Sequence, residues 1–438
     1  MKLSFIHRKS SHHFPSAGRQ SPRSIHGERA EGDTAVKRVV YLLDIFPTVS
    51  ETFILNEILT VTDRNIDVTI FARHFPREEA LHRDAGPLKN KTKYLVKPRE
   101  ISLGKILKAH LYLLCVRPVP YLKTLWFAYG KKKQGLLWYF KIAGYYAPLI
   151  ARERPDHIHS HFASLAGEYA MLVSMILRIP YTFTAHGWHD IYAYPPADFY
   201  DRAMQAHKVV TVSYYNARYI SEKFSIPPEK IAVVHCGVQW EIYTPKVFFP
   251  GEKPLKILSV ARLHPIKGVE YLIKACKILK DKSVDFVCSI VGDGEDRLAM
   301  TQLIRELDLS AHVRLDGALP MEEVRRRYSQ SDIYVQSSLC EGLPVAVMEA
   351  MASRLAIVAS NVTGMPELIE NDTNGYLVEA KDAAGLAEAM ERLASNPQAR
   401  ATIGERNAQK IKNNFSIEEE VQKLIHVWFP DMPVAELN

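Results

Sequence analysis

Residues 255–268 read "LKILSVARLHPIKG", and the fold turns on how this stretch is divided. The first seven residues form an apolar run of strand length. It stops at a turn holding Arg262, His264, Pro265 and Lys267, and a helical pattern begins at about Gly268. Strand, polar turn and helix in that order make the unit of a parallel sheet covered on both faces. The unit recurs downstream at "VDFVCSIVG" (284–292), "HVRLDG" (312–317), "DIYVQSS" (332–338), "LAIVAS" (355–360) and "NGYLVEA" (374–380).

Upstream the same alternation runs through "KRVVYLLDI" (37–45), a helix over 50–63, "IDVTIFA" (66–72), "DHIHSHF" (156–162), "YTFTAHG" (181–187), "KVVTVS" (208–213) and "IAVVHCGV" (231–238). It pauses at "VFFPGEKP" (247–254), a Pro/Gly stretch of the kind that joins domains. The reading is an α/β chain of two Rossmann-like, doubly wound parallel-sheet domains facing across a cleft. Residues 1–36 are a basic leader without apolar period, 37–248 the first domain, 249–412 the second, and 413–438 a terminal helix returning to the first domain.

Composition agrees. With 438 residues, 47% hydrophobic and 24% charged, the chain can fill two cores and is too apolar for general disorder. Five scattered cysteines suggest neither a disulfide framework nor a structural zinc, which fits a reducing cytoplasm. No apolar run reaches the roughly 20 residues that span a bilayer. The leader is Arg- and Ser-rich like a transit peptide, but reads as an unstructured extension or a misassigned start.

Ligands of open α/β sheets bind beyond the carboxyl ends of the strands, so polar residues there are the candidates. Arg262 and Lys267 stand beside a helix N-terminus and suit a diphosphate, although two solvated surface cations give the same pattern. Gly292 and Gly294 flank Asp293 in a tight turn that permits close backbone approach to a ligand. In "SSLCEGLPVAVMEAMAS" (337–353), Pro344 suits a first helical position. Glu341 then lies in the loop and Glu349 in the second turn, both facing the crevice and able to accept from sugar hydroxyls. The N–H groups from Gly342 to Val345 are expected free. In the first domain His159, His161 and His186 sit at strand ends, with no carboxylate or cysteine at helical ligand spacing to suggest zinc. "FPTVSETF" has no glycine, which disfavours a dinucleotide enzyme, and Thr48 to Glu51 fits a capping box.

"RLHPIKG", "VGDGE", "EGLPVAVMEAMA", "GMPELI" and "NGYLV" occur in this order. The chain resembles the retaining glycosyltransferases of family four, which have the GT-B fold, from about 37 to 429. "FPTVSETFILNEI" and "DHIHSHFA" are similar to bacterial exopolysaccharide enzymes of the colanic-acid type. The resemblance implies that Arg262 and Lys267 hold the donor diphosphate and that Glu349 binds the ribose. Glu341 with the backbone after it would hold the transferred sugar, and His186 would contact that sugar near the reacting carbon. Gly292, Gly294, Leu319, Gly342, Leu343, Pro344 and Val345 complete the expected donor site. The helix carrying Glu349 departs from the family where Arg354 and Ala356 replace a glycine and a proline. Gln239 stands where an aspartate is common.

The expected activity is retaining transfer of a hexose from a nucleoside diphosphate sugar to a glycan or polyprenyl-linked oligosaccharide. Neither a cofactor nor a metal is expected, since Arg262 and Lys267 supply charge and no Asp-x-Asp is present. A sugar-nucleotide epimerase of the same build and a catalytically silent sugar-binding subunit are the alternatives, and product analysis with and without acceptor separates transferase from epimerase. No nucleic acid partner is expected. Between Gly86 and Ala147 thirteen Lys and Arg face one acid, Glu100, among aromatic residues, which suggests docking on an anionic membrane at the inner cytoplasmic face.

Overall fold

A computed structural model of the chain describes residues 36–48, 51–76, 83–132, 135–246 and 254–432. The leader up to residue 35 and most of the Pro/Gly stretch, residues 247–253, lie outside the described residues.

The first lobe comprises β1 (Lys37–Ile45), α1 (Thr52–Thr62), β2 (Ile66–His74), β3 (Thr92–Tyr94), α2 (Leu103–Val116), α3 (Pro118–Gly130) and α4 (Leu136–Ala151). It continues with β4 (His157–His161), α5 (Leu165–Leu177), β5 (Tyr181–Ala185), α6 (Phe199–Gln205), β6 (Lys208–Thr211), α7 (Tyr214–Phe224) and β7 (Ile231–Val233). The second lobe contains β8 (Leu255–Val260), α8 (Val269–Asp281), β9 (Phe286–Val291), α9 (Arg297–Glu306), β10 (Val313–Gly317), α10 (Met321–Gln330) and β11 (Ile333–Gln336). After these come α11 (Val345–Ala352), β12 (Ala356–Ser360), α12 (Met365–Leu368), β13 (Tyr376–Val378), α13 (Ala383–Ala394), α14 (Pro397–Asn414) and α15 (Ile417–Trp428).

The strands pair in parallel in two sheets, ordered β3-β2-β1-β4-β5-β6-β7 and β10-β9-β8-β11-β12-β13. Strand order reverses between β1 and β4 in one sheet and between β8 and β11 in the other, which opens a crevice at each switch point. β3 was not anticipated: its three residues carry too short a period to register.

Both sheets bury both faces, so their strands read as apolar runs rather than as alternations. One face of the first sheet packs against α5 within a core that also takes in α2 to α4. The other receives α1 and also α15, whose Val421, Leu424, Ile425 and Trp428 meet Val39, Tyr41 and Ile70. Each such side chain, fully buried, contributes about 1.5–3 kcal/mol, so α15 holds the far end of the chain to the first sheet.

Local signals explain several helix starts. Ser164 and Ser213 cap α5 and α7 by accepting from Ala166 and Asn216 N–H, and Asn396 before Pro397 caps α14. The expected capping box at α1 does not form. Glu51 is itself the N-cap residue, and the Thr48 hydroxyl is buried without a partner. The helix start is set by packing of Ile54, Leu55 and Ile58 instead.

α11 starts one residue later than expected, with Pro344 as its N-cap. Its end forms without the family's glycine. Arg354 adopts the left-handed conformation (φ 62°), Leu355 N–H donates to Ala350 C=O and Arg354 N–H to Met351 C=O, which is a Schellman closure.

Candidate active site between the two sheets

At the switch point of the second sheet, β8 ends in an exposed Arg262, and a short 3-10 turn (Pro265–Lys267) leads into α8. The His264 side chain caps that turn by accepting from Ile266 N–H at 3.2 Å. Gly268 takes φ 55° with no room for a Cβ beside the Ser337 carbonyl, so the turn is pressed onto the loop after β11. This places Lys267 Nζ 2.7 Å from Glu341 Oε1.

Glu341 is buried, and Oε1 also accepts from Gln336 Nε2 at 3.0 Å and Ser338 Oγ at 2.6 Å. Its other oxygen, Oε2, has no hydrogen-bond partner among the described residues. The carboxylate is therefore fixed in place by one oxygen and can accept with the other. The N–H groups of Gly342 and Leu343 donate to no acceptor among the described residues. Pro344, counted among the expected N–H donors, has none to give.

Gly292 and Gly294 let two loops approach closely. A Cβ at either would strike the carbonyl of Ala261 or Leu263, because the two strand-end loops run backbone against backbone, bonded Ala261 N–H to Val291 C=O and Leu263 N–H to Asp293 C=O. Both glycines thus hold the Arg262 turn in place. Leu319 lies half-buried against the core that contains Leu343 and Val347, with Val345 beside it, while Pro344 is buried.

Glu349 departs from expectation. Rather than opening to the crevice, it is 6% exposed, and its two oxygens accept from Tyr243 Oη at 2.8 Å and Tyr328 Oη at 2.9 Å. Burial raises its pKa, partly offset by the two hydroxyls. A mid-helix carboxylate facing a core needs such donors, and they come from α10 and from the segment before the second lobe.

In the first lobe the three histidines separate. His159 lies within β4, fully buried, with Thr182 and Thr184 hydroxyls 2.7 and 3.2 Å from its two ring nitrogens. His161 links two groups: Nε2 is 3.1 Å from Glu57 Oε1, and Nδ1 is 3.0 Å from His186 Nε2. Burial, then His161, holds the His186 pKa well below the usual imidazole range. A carboxylate does stand beside the histidines, but it comes from α1 and so escapes any local spacing rule. Glu57, His159 and His161 lie within 4.8 Å of one another, the one metal-like set among the described residues. Each of the three atoms already has a partner in the chain, Tyr41 or His161 for Glu57, Thr184 for His159 and Glu57 for His161.

The lobes meet at these loops. A Cβ on Gly342 would overlap the His186 carbonyl, and one on Gly364 the Gly342 carbonyl. His189, in a π-helical turn after Gly187, has its pKa lowered by burial and then by Arg262 and His264 across the cleft. Glu367 of α12 accepts from Tyr214 and Tyr215 N–H at 3.1 and 2.9 Å, at the start of α7. Sequence reading missed Glu57, His189, Tyr243, Tyr328 and Glu367. The second histidine of "HGWHD" and the glutamates near the end of "FPTVSETFILNEI" and within "GMPELI" were visible signals, whereas the tyrosines had none.

Two family models match in series, "Glycosyltransferase Family 4" over residues 50–241 and "Glycosyl transferases group 1" over 244–410. The chain is 28% identical over 399 residues to the putative colanic acid biosynthesis glycosyltransferase WcaL of Escherichia coli (strain K12), spanning 86% of this chain and 96% of that one. An Escherichia coli UDP-Gal:alpha-D-GlcNAc-diphosphoundecaprenol alpha-1,3-galactosyltransferase is 26% identical over 306 residues, 63% of this chain and 76% of its own. The crystal structure of a glycosyltransferase from Rickettsia africae ESF-5 superposes with a TM-score of 0.67 at 19% identity, over 90% of this chain and 98% of that one. Two models that meet at the lobe boundary, a relative matched almost end to end and a shared two-sheet build agree on one assignment: the chain belongs to the GT-B-fold glycosyltransferases of family four.

Proposed function

We propose that the chain transfers a hexose from a nucleoside diphosphate sugar to a glycan hydroxyl in exopolysaccharide assembly, retaining anomeric configuration and using no metal ion. The observation that carries this reading is the Lys267–Glu341 pair at the β8/β11 switch point, with Glu341 Oε2 uncommitted and exposed Arg262 nearby. Arg262, Lys267 and the N-terminus of α8 stabilise the charge that develops as the diphosphate leaves. Glu341 Oε2 and the Gly342 and Leu343 N–H groups bind hydroxyls of the transferred sugar. His186 lines its other side from the first lobe. Each Glu349 oxygen has a second lone pair, so a ribose hydroxyl joins or replaces the tyrosine already there. The leaving phosphate oxygen takes the acceptor proton on the same face, so no side chain is assigned as general base. The names of the colanic acid and diphosphoundecaprenol relatives support an exopolysaccharide role and a polyprenyl-linked acceptor.

The same reading includes docking on an anionic membrane. α2, α3 and α4 expose Leu103, Leu107, Leu111, Tyr112, Trp126 and Trp138 beside Lys105, Lys123, Lys132 and Lys141. The expected aromatic set divides, since Tyr121 and Phe140 are buried and Phe127 and Tyr139 partly so. Among the described residues no helix is long and apolar enough to cross a membrane.

Thermal-shift screening against uridine, guanosine and adenosine diphosphate sugars tests the donor, followed by NMR of the product's anomeric coupling. One nucleotide class should stabilise the protein, and transfer with retention should persist in excess chelator. No stabilisation by any class would overturn the donor reading. Chelator-sensitive turnover restored by magnesium or manganese would overturn metal independence.

A further inference from the structure

Four polar groups from separate elements form a chain beneath the cleft. Tyr41 Oη on β1 donates to Glu57 Oε1 on α1 at 2.9 Å, Glu57 Oε1 lies 3.1 Å from His161 Nε2 on β4, and His161 Nδ1 lies 3.0 Å from His186 Nε2 after β5. A carboxylate can only accept, so a neutral His161 ring carries its proton on Nε2 and presents Nδ1 as an acceptor. The short contact to His186 then requires a proton on His186 Nε2. That leaves His186 Nδ1 bare, and this atom has no partner among the described residues.

We propose that Glu57 and His161 are positioning residues that set the tautomer of His186, so that it meets the transferred sugar with a hydrogen-bond acceptor. The inference rests on the donor-site reading above for the identity of the ligand, and on the hydrogen-bond chain alone for the tautomer. The rings are held for this task. Phe53 and Phe162 clamp His186 at centroid distances of 4.8 and 4.6 Å, and Tyr41 lies parallel to His161 at 6.0 Å. Burial holds His159 and His186 neutral, and both rings sit about His161, at 5.0 and 5.2 Å. The consequence is a requirement for a free hydroxyl on the sugar at the carbon facing His186. A site that accepts from a hydroxyl discriminates strongly against an analogue lacking it.

Long-range ¹H–¹⁵N correlation spectra of the histidine-labelled full chain decide the matter, with His186 assigned by His186→Gln. The expected result is a neutral ring protonated on Nε2, a single tautomer retained in Tyr41→Phe, where the Glu57 acceptor remains. His161→Phe removes the acceptor, and both tautomers should then appear. Glu57→Gln, which offers an amide donor as well as a carbonyl, should also relax the preference and serves if His161→Phe does not fold. Adding the nucleotide sugar selected by thermal shift should move the Nδ1 resonance and not Nε2. A His186 protonated on Nδ1, or unaltered tautomers in both variants, would overturn the proposal. So would one equivalent of divalent metal retained by the wild type and lost in Glu57→Gln, since the same atoms would then be ligands. A correct tautomer whose Nδ1 ignores every nucleotide sugar would overturn the sugar contact alone.

Discussion

Lys267 and Arg262 carry the same charge at the same strand end, yet their surroundings differ enough for mutation to separate them. Removing Lys267 deprives the buried Glu341 of its cation, while Arg262 is exposed with no ion-pair partner among the described residues. Both alanine variants should lose turnover by about 2–4 kcal/mol in the barrier if they act on the leaving diphosphate. Only Lys267→Ala should also lower the melting temperature, because it leaves a carboxylate desolvated without its counter-charge. Nucleotide-release kinetics beside calorimetry checks both halves. Gly342→Ala makes a second residue-scale case. The added methyl cannot coexist with the His186 carbonyl in the present contact between the lobes. Loss of transfer at least tenfold, with nucleotide binding retained, is the expected outcome, and unchanged turnover would show that this contact is not part of the working state.

At the scale of elements, α7, α12 and α15 converge on His235. Its Nδ1 lies 3.3 Å from Glu420 of α15 and its Nε2 3.5 Å from Glu367 of α12, while Lys423 also pairs with Glu420. Burial alone would lower the His235 pKa, but the two carboxylates outweigh it and carry it to about 9. Since the folded value exceeds the unfolded one, this contribution is complete below about pH 6.5 and is lost as pH rises through about 9, on the order of 3 kcal/mol in all. Glu367 and Glu420 are raised by burial and lowered further by their partners, for a net decrease. Their contribution is present above the usual carboxylate range and is lost as pH falls below it. Melting temperature should therefore decline on the alkaline side, and less steeply in Glu367→Gln. Equal alkaline slopes in the two proteins would contradict this. At the end of α11, Arg354 occupies a left-handed position where glycine is unstrained, with only a partly exposed ion pair to Glu405 in return. Arg354→Gly should raise stability by roughly 0.5–1 kcal/mol in denaturant titration.

For the molecule as a whole, charge and exposed apolar surface fall on one side of the first lobe, which bears on where it works. Under the proposed docking, each lysine near an anionic bilayer would contribute about 1 kcal/mol, so several weak contacts would add up to reversible binding. Lys131 is a poor choice for mutation because it pairs with Asp201 at 2.8 Å, and Lys133 lies outside the described residues. Trp126→Ser with Lys105→Glu and Lys123→Glu breaks no ion pair among the described residues and removes only the Trp126 stacking on Tyr129 at 6.2 Å. Co-sedimentation with anionic vesicles should fall severalfold in this variant, while neutral vesicles bind neither protein well. Equal binding to both vesicle types would count against docking through this surface.

By itself the sequence determined the alternation of strands and helices, the two sheets in series, and the loops in which Arg262, Lys267, Glu341 and His186 stand. These follow from backbone periodicity and turn chemistry, which act over a few residues. The tertiary structure alone decided how those side chains are engaged. It turned Glu349 to two tyrosines, left one oxygen of Glu341 uncommitted, made Gly292 and Gly294 supports for a neighbouring loop, and brought Glu57 to His161 across 104 residues. The partners of a buried polar atom are chosen by which elements pack against it. That choice depends on sheet order and on the return of α15, so no local pattern encodes it.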